Sequence, residues 1–190
     1  DAFIYVISIG MYFLSQKRFF LTTKTRKWIV FSEFVLPVLY FGFSMYLLKT
    51  YGEGGLISRY DAFLMSNESG ISSVLKNLLL HPTFAISHLF MAKKLGYLFL
   101  TLAPLCFLPL IQRNWSTYFL SLPLIVINLL SDWPYQHDIG FQYSYGTSAL
   151  LFIMALLALE DLKLHKLINE KIVISFIFVG MIFSGTILHR

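Results

Sequence analysis

The sequence predicts an all-α integral membrane protein with about six transmembrane helices and an outward-facing loop of short interfacial helices. Apolar residues make up 57% of the chain and charged residues 13%, whereas soluble domains carry about 25% charged residues. Two long apolar runs, 95–111 and 118–130, follow each other with only a short polar link between them. Each run is expected to cross the hydrocarbon while the link turns at the membrane surface. A single polytopic membrane domain is therefore predicted.

Further apolar runs supply the other spans. The six predicted spans are 2–14, 28–48, 95–111, 118–130, 145–159 and 172–188. The first run is short for a span, has no basic region before it, and follows Asp1 rather than a methionine. It therefore does not match a signal peptide. We expect the chain to be the C-terminal part of a longer protein.

Basic residues predict the orientation of these spans. Segments 17–27, 112–114 and 160–171 hold nine of the 15 lysine and arginine residues, so they are expected in the cytoplasm. The loop 131–141 holds none and is expected outside, together with the long loop 49–94. The predicted location is the cell membrane, with several crossings. Because these flanks account for most of the net charge of +5, no nucleic-acid partner is expected.

The long outside loop contains two apolar segments at helical spacing, 72–80 and 83–92, which Pro82 separates. Both are too short to span a bilayer, so they are expected in the outer interface or packed on the spans. His81 and His88, seven residues apart, are expected to pack or to form hydrogen bonds there rather than to bind a metal. The cations of interest in this loop are Arg59, Lys76, Lys93 and Lys94. Either a long loop tolerates them, or they hold an anionic ligand such as a lipid phosphate.

The polar loop after the fourth run and the start of the fifth hold a second set of candidates. They are Asp132, His137, Asp138, Gln142, Tyr143 and Tyr145. The carboxylates and the imidazole are able to bind a metal or a sugar, or to act as acid and base, unless they form a solvated loop. The amide and the tyrosines either belong to the aromatic belt of the membrane interface or form a platform on which a sugar ring stacks.

Motifs of soluble enzymes and metal sites are absent from the sequence. It contains no glycine-rich phosphate loop, no paired CxxC and no HExxH. No cofactor is identified; a divalent metal stays open, with no specific motif for it. Positions in the middle of the predicted spans are almost purely apolar, with Asn128 near one end and Glu33 near the other, which weakens the case for a conduction pathway.

The region from Arg59 to Tyr145 resembles the C-terminal part of the bacterial predicted membrane proteins of domain of unknown function 2079. The matching features are an Arg-Tyr-Asp turn at 59–61, SVLKNLLLHP at 73–82, KLGYLFLTLAPLCFLPLI at 94–111, LSLPLIVINLLS at 120–131 and FQYSYGTSALLFIMALLAL at 141–159. They cover close to half of the chain and keep their order and spacing. Most are scaffold residues, so they are more informative about fold than about chemistry.

That family in turn resembles the GT-C superfamily of integral-membrane glycosyltransferases. The resemblance implies a multi-span helical protein that takes a sugar from a polyprenyl-phosphate donor at the outer face, with the donor lipid entering sideways from the bilayer. The catalytic acidic residue of such enzymes usually lies in the first outside loop, so no residue of this chain inherits that role. The outside-loop cations agree with the expected need for a phosphate site.

Three functions are therefore compatible with the sequence. The first is a GT-C-like glycosyltransferase, or its non-catalytic C-terminal half, with a membrane lipid such as a polyprenyl-phosphate sugar as its partner. The second is a membrane transporter or lipid flippase. The third is a non-enzymatic assembly subunit. Whether this chain is itself an enzyme stays open at this point.

Overall fold

The computed structural model describes residues 2–16, 22–52, 57–65 and 68–187. The described elements are all helical: α-helices, short 3-10 turns and one π-helical segment. This confirms the predicted all-α class for the described residues. Residues 17–21 of the predicted first link, 53–56 and 66–67 of the outside loop, and 188–190 at the end lie outside them.

Nine α-helices carry the described architecture. They are α1 (Ala2–Ser15), α2 (Thr23–Val30), α3 (Leu36–Tyr51), α4 (Ile71–Leu80), α5 (Pro82–Leu89), α6 (Ala92–Leu102), α7 (Leu122–Leu130), α8 (Tyr145–Leu164) and α9 (Glu170–Ile187). The 3-10 turns Ile57–Phe63, Trp115–Leu120, Pro134–His137 and Gln142–Ser144 lie between them.

One long helix matches the prediction for residues 28–48. The π-helical segment Phe31–Val35 joins α2 to α3 without a break. Within the described residues, Lys24–Tyr51 is the helix whose length and hydropathy suffice to cross a membrane, and only 6% of its apolar window is buried within the protein. The predicted number of six spans is therefore not confirmed.

The apolar run 95–111 is interrupted and does not form one continuous helix. Helix α6 ends at Leu102, and the chain then passes through Cys106 and Phe107, whose φ angles are 50° and 56°. This left-handed conformation costs about 1–2 kcal/mol per non-glycine residue, so tertiary packing must hold it. Cys106 Sγ donates a hydrogen bond to a main-chain carbonyl of α9 (3.2 Å). Gly180 packs against another carbonyl of the interrupted segment, where a Cβ would collide.

The apolar run 118–130 is also divided. A 3-10 turn covers Trp115–Leu120, and α7 begins only at Leu122. Pro123 occupies the first turn of α7, where its missing N–H has no helical partner to lose. Neither α6 nor α7 alone reaches the roughly 20 residues that a spanning helix needs.

The interior of the bundle forms where α1, α6, α7 and α8 meet. Its most buried side chains include Leu151 and Met154 of α8, which pack with Ile4, Leu102 and Leu124. Buried polar residues also lie in this interior, among them Ser8, Thr117, Ser121 and Thr147. Of these residues, Ser8 lies near the middle of a predicted span, whereas Ser121 and Thr147 lie near the start of theirs and Thr117 lies outside the predicted spans.

Helices α4 and α5 divide at Pro82 as the sequence predicts. Asn77 fixes α4 to the preceding turn, because its buried amide donates to the Phe63 carbonyl (2.7 Å). Apolar side chains of both helices remain exposed, including Leu79 and Ile86. An exposed apolar face of this kind is typical of helices at a bilayer interface.

Candidate functional site

Asp132 ties three parts of the chain together at one end of the bundle. Its main-chain N–H donates to the Arg59 carbonyl (2.7 Å), and its Oδ2 accepts from the Ala62 N–H (2.9 Å). Its Oδ1 lies 2.8 Å from Nε2 of His88 on α5. These contacts join the turn after residue 56, helix α5 and the loop after α7. The two loops predicted to lie outside therefore meet at the same end.

Arg59 lies close to two aromatic rings of this loop. Its guanidinium is 5.7 Å from the Trp133 ring and 5.1 Å from the Tyr143 ring, and it donates to the Tyr143 hydroxyl (3.3 Å). Contacts of this kind hold a guanidinium in place by cation–π attraction. Arg59 is thereby oriented on the outer loop rather than left mobile in solvent.

Lys94 is the most unusual charge of the site. It lies in the first turn of α6, yet it is only 3% exposed. No atom of the described residues lies within hydrogen-bond distance of its Nζ with suitable geometry. Burial lowers the pKa of Lys94, and the nearby Asp132 carboxylate opposes this shift. An ammonium group in such a place is poised to accept an anionic partner.

His137 lies beside the same lysine. Burial is the main cause that lowers its pKa; Lys94 and Lys93 lower it further, while Asp132 and Asp138 act in the opposite direction. Its Nδ1 is buried and finds no hydrogen-bond partner among the described residues. We refer to Arg59, Lys94, Asp132, His137 and Tyr143, with His88, as the outer cluster.

A chain of polar side chains runs from the outer cluster into the bundle. Gln136 is fully buried and donates to Asn128 Oδ1 (3.4 Å). Asn128 donates in turn to the Tyr97 hydroxyl (3.2 Å) and to Thr147 Oγ1 (3.4 Å). At its outer end Tyr60 faces Gln136; burial raises the pKa of the Tyr60 hydroxyl, and Gln136 and Arg59 oppose that change.

The other predicted site residues lie apart from this centre. Lys76 is 63% exposed and pairs with Glu68 at 3.6 Å. The hydrogen bond from Asn77 is the main cause that lowers the pKa of Glu68. Asp138 accepts a hydrogen bond from the Gly140 N–H (2.9 Å). Gln142, Tyr145 and Lys93 are exposed at the surface, although Lys93 is near enough to affect His137.

A large cavity lies beside the outer cluster, and we refer to it as the lateral groove. It has a volume of about 890 Å³ and lies between α6, α8 and α9. Its walls include Leu100, Pro104 and Phe152, and Asp138 and Ser148 supply polar atoms. Lys93 and Leu100 are seven residues apart on α6, so they share one face of that helix. The groove therefore runs along α6 on the face that carries Lys93.

Sequence reasoning missed several residues of the site. Gln136 and Tyr60 are not among the residues that the sequence predicts for the site, and His88 is predicted only to pack or to form hydrogen bonds at the interface. Polar residues that flank a predicted site residue, such as Tyr60 beside Arg59 and Gln136 beside His137, were the available signal. Among the described residues, no group of three His, Cys, Asp or Glu side chains is arranged to hold a metal ion.

Comparison with known proteins identifies a family for this chain. The family described as "Predicted membrane protein (DUF2079)" matches residues 1–189. Searches of curated proteins and of solved structures returned no significant match.

Proposed function

The chain belongs to the DUF2079 family of predicted membrane proteins, and from this premise we propose that it is the lipid-binding, non-catalytic half of a GT-C-like membrane glycosyltransferase. In this proposal the chain crosses the membrane several times and the outer cluster faces outward. The cluster binds the phosphate of a polyprenyl-phosphate-linked sugar. The catalytic acid or base belongs to another part of the protein.

The observation that carries the proposal is the buried, unpartnered ammonium of Lys94 within the described residues. A buried charge without a partner is costly, so an anion that pairs with it gains more than it would at an exposed lysine. A phosphate offers several acceptor oxygens to one ammonium. Arg59, held by its aromatic neighbours, and the exposed Lys93 add positive charge around the same place.

The lateral groove supports a lipid rather than a free phosphate as the ligand. Its walls are mostly apolar, and its volume of about 890 Å³ falls in the usual range of ligand sites. The hydrocarbon chain lies in this groove and the headgroup lies toward Lys93 and Lys94. Trp133 and Tyr143 then offer ring faces near the headgroup, where a sugar stacks.

Native mass spectrometry of the purified full-length protein tests this function. We expect an adduct with undecaprenyl phosphate or its sugar-linked form, and a much weaker one with undecaprenol, which has the same chain and no phosphate. Lys94→Met should lose the phosphate-dependent adduct. Lys76→Met is the matched control, because Lys76 is exposed and paired with Glu68, and it should bind as the unmodified protein does.

Two results would contradict the proposal. Equal binding of the phosphate and the alcohol would mean that the lipid chain alone is recognised. Equal loss of binding in Lys94→Met and Lys76→Met would mean that general positive charge, and no defined site, attracts the lipid.

A transporter or lipid flippase is the second candidate, and one observation favours it. Two consecutive apolar segments, 95–111 and 118–130, are interrupted within the bundle, and interrupted helices at membrane depth are common at transporter binding sites. Reconstituted protein that moves a fluorescent prenyl phosphate between bilayer leaflets would favour this function. Binding without movement would favour the transferase half.

A further inference from the structure

Helix α1 carries its hydroxyl groups along one line. Tyr5, Ser8, Tyr12 and Ser15 are separated by three, four and three residues, which places them on one face of an α-helix. That face points into the bundle, because Tyr5 and Tyr12 pack against the central apolar cluster and Ser8 is 0% exposed. The line covers about 15 Å of the helix axis.

The outer end of this line meets the polar chain below the outer cluster. The Tyr5 hydroxyl lies against Gly146 of α8, beside Thr147, which is a polar neighbour of both the Tyr5 and the Tyr97 hydroxyls. Thr147 also accepts a hydrogen bond from Asn128. Asn128 accepts from Gln136. A continuous set of polar contacts therefore joins α1 to the loop that carries His137 and Asp132.

The inner end of the line opens into a second cavity of about 310 Å³, the inner cavity. Tyr12, Ser15 and Gln16 line it from α1. Gln16 donates to Ser116 Oγ (3.0 Å) and accepts from the Asn114 amide (3.2 Å). Gln16, Asn114 and Ser116 lie in or next to the segments 17–27 and 112–114, which the sequence predicts to be cytoplasmic.

Titratable side chains lie at both ends of this line of polar residues. Asp132, His137 and Lys94 lie at the outer end. At the inner end Glu160 and Asp161 line the inner cavity. Asp161 lies 3.6 Å from Nε of Arg113 and 3.4 Å from Nδ1 of His165.

The hydroxyl of Ser8 is a second observation, independent of the line of polar contacts, and it indicates an ordered water inside the bundle. Its Oγ is buried in the middle of α1 and finds no hydrogen-bond partner among the described residues. A buried hydroxyl without a partner costs about 1–3 kcal/mol, and an ordered water is the usual partner for such a group. Neighbouring positions on the line have Cβ atoms about 5–6 Å apart, a gap that a water molecule bridges.

We propose that these residues form a proton relay across the bundle. We name Tyr5, Ser8, Tyr12, Asn128, Gln136 and Thr147 the polar seam. Each hydroxyl or bridging water accepts a proton on one side and releases another on the opposite side, so each group returns to its starting charge. The two amides hold the intervening water in place. Intramembrane polar chains of this kind are typical of proton pathways. This relay is a property separate from lipid binding and does not rest on it.

Proton flux into liposomes tests the relay. The full-length protein is reconstituted with a pH-sensitive dye inside, and a potassium gradient with valinomycin makes the interior negative. We expect faster acidification than in protein-free liposomes. Asn128→Leu and Tyr5→Phe should return the rate to that of protein-free liposomes, because each removes a link of the polar seam.

Thr101→Val is the matched control. Thr101 is also a buried hydroxyl, but it bonds back to the Tyr97 and Leu98 carbonyls of its own helix (3.0 and 3.1 Å). It lies outside the polar seam, so its loss should leave the flux unchanged. Equal loss of flux in Thr101→Val and Tyr5→Phe would overturn the relay, as would a wild-type rate equal to that of protein-free liposomes.

Ser8→Ala keeps the test decisive if Asn128→Leu does not fold. It removes one hydroxyl that has no described partner, so the fold should survive while the flux falls. Lipid binding is measured on the same samples. Retained binding with lost flux supports the relay alone, and retained flux in a folded Ser8→Ala protein overturns it without affecting the lipid site.

Discussion

Replacing Lys94 by methionine should stabilise the protein and weaken lipid binding at the same time. Methionine keeps the unbranched apolar stem and removes the ammonium, which is 3% exposed and has no hydrogen-bond partner among the described residues. A residue that only supports the fold would change stability in the opposite direction. The sign of the two changes therefore distinguishes a binding residue from a structural one.

The size of each change follows from the burial of Lys94. Removing an unsatisfied buried polar group should raise the free energy of unfolding by about 1–3 kcal/mol. For a chain of this length, each 1 kcal/mol of added stability raises the midpoint temperature of thermal unfolding by about 2–4 °C. Losing a hydrogen bond to a charged group costs about 1.5–3 kcal/mol, so the dissociation constant for undecaprenyl phosphate should rise about ten- to hundredfold.

Tryptophan fluorescence during heating in detergent measures the midpoint, and a lipid titration followed by native mass spectrometry measures binding. Lys76→Met should change the free energy of unfolding by no more than about 0.5 kcal/mol, since Lys76 is exposed and its pairing with Glu68 is weak. A lower midpoint with unchanged binding in Lys94→Met would refute the reasoning, because it would make the ammonium a structural group.

Three further predictions follow from the described contacts. Binding of undecaprenyl phosphate should weaken as pH rises, already below the pH of about 10.4 at which an ordinary lysine loses its proton, because burial lowers the pKa of Lys94 and the neutral amine no longer pairs with phosphate. Lys94→Arg should bind with little dependence on pH in the same titration. Gly180→Ala should destabilise the protein by about 1–3 kcal/mol in thermal unfolding, because its Cβ would meet a main-chain carbonyl, whereas Gly185→Ala on the same helix meets nothing within 4 Å and should not. A cysteine at Tyr135, which is 45% exposed, should react with an impermeant thiol reagent in intact cells in a Cys106→Ser background; protection there would reverse the predicted orientation.

The helical class and several helix ends could be predicted because they depend on local sequence. Pro82 divides α4 from α5 as expected, since proline removes a helical donor wherever it stands in a helix interior. Helix α8 begins at Tyr145, the first residue of the predicted fifth span. Such features need only the chemistry of neighbouring residues.

The interruption after α6 could not be predicted in the same way. Pro104 and Pro109 indicate kinks, but two consecutive left-handed residues at Cys106 and Phe107 require packing against α9. That packing joins positions about 70 residues apart, and local propensity carries no information about it. The mean hydropathy of residues 95–111 does not reveal the interruption either, because Cys106 and Phe107 are as apolar as their neighbours.

The candidate site was predicted as a set of residues and not as an arrangement. Lys93 and Lys94 look equivalent in sequence, yet one is exposed and the other is 3% exposed. Adjacent residues point about 100° apart around a helix, so the packing around α6 decides which one faces the interior. The sequence does not predict the polar seam, because its hydroxyls are spread among apolar neighbours at helical spacing.

If both proposals hold, lipid binding and proton movement meet at the outer cluster, and thermodynamic linkage connects them. An anion that pairs with Lys94 favours the ammonium and so raises the pKa that burial lowers. Where part of the population holds a neutral amine, binding takes up a proton. The polar seam begins at Gln136, the residue next to His137, so the proposed relay would supply that proton from the inner cavity. Because linkage is reciprocal, a proton held at Lys94 strengthens lipid binding by the same factor that the lipid strengthens proton binding. A buried lysine that destabilises the empty protein is then consistent with a site whose charge is set by its ligand.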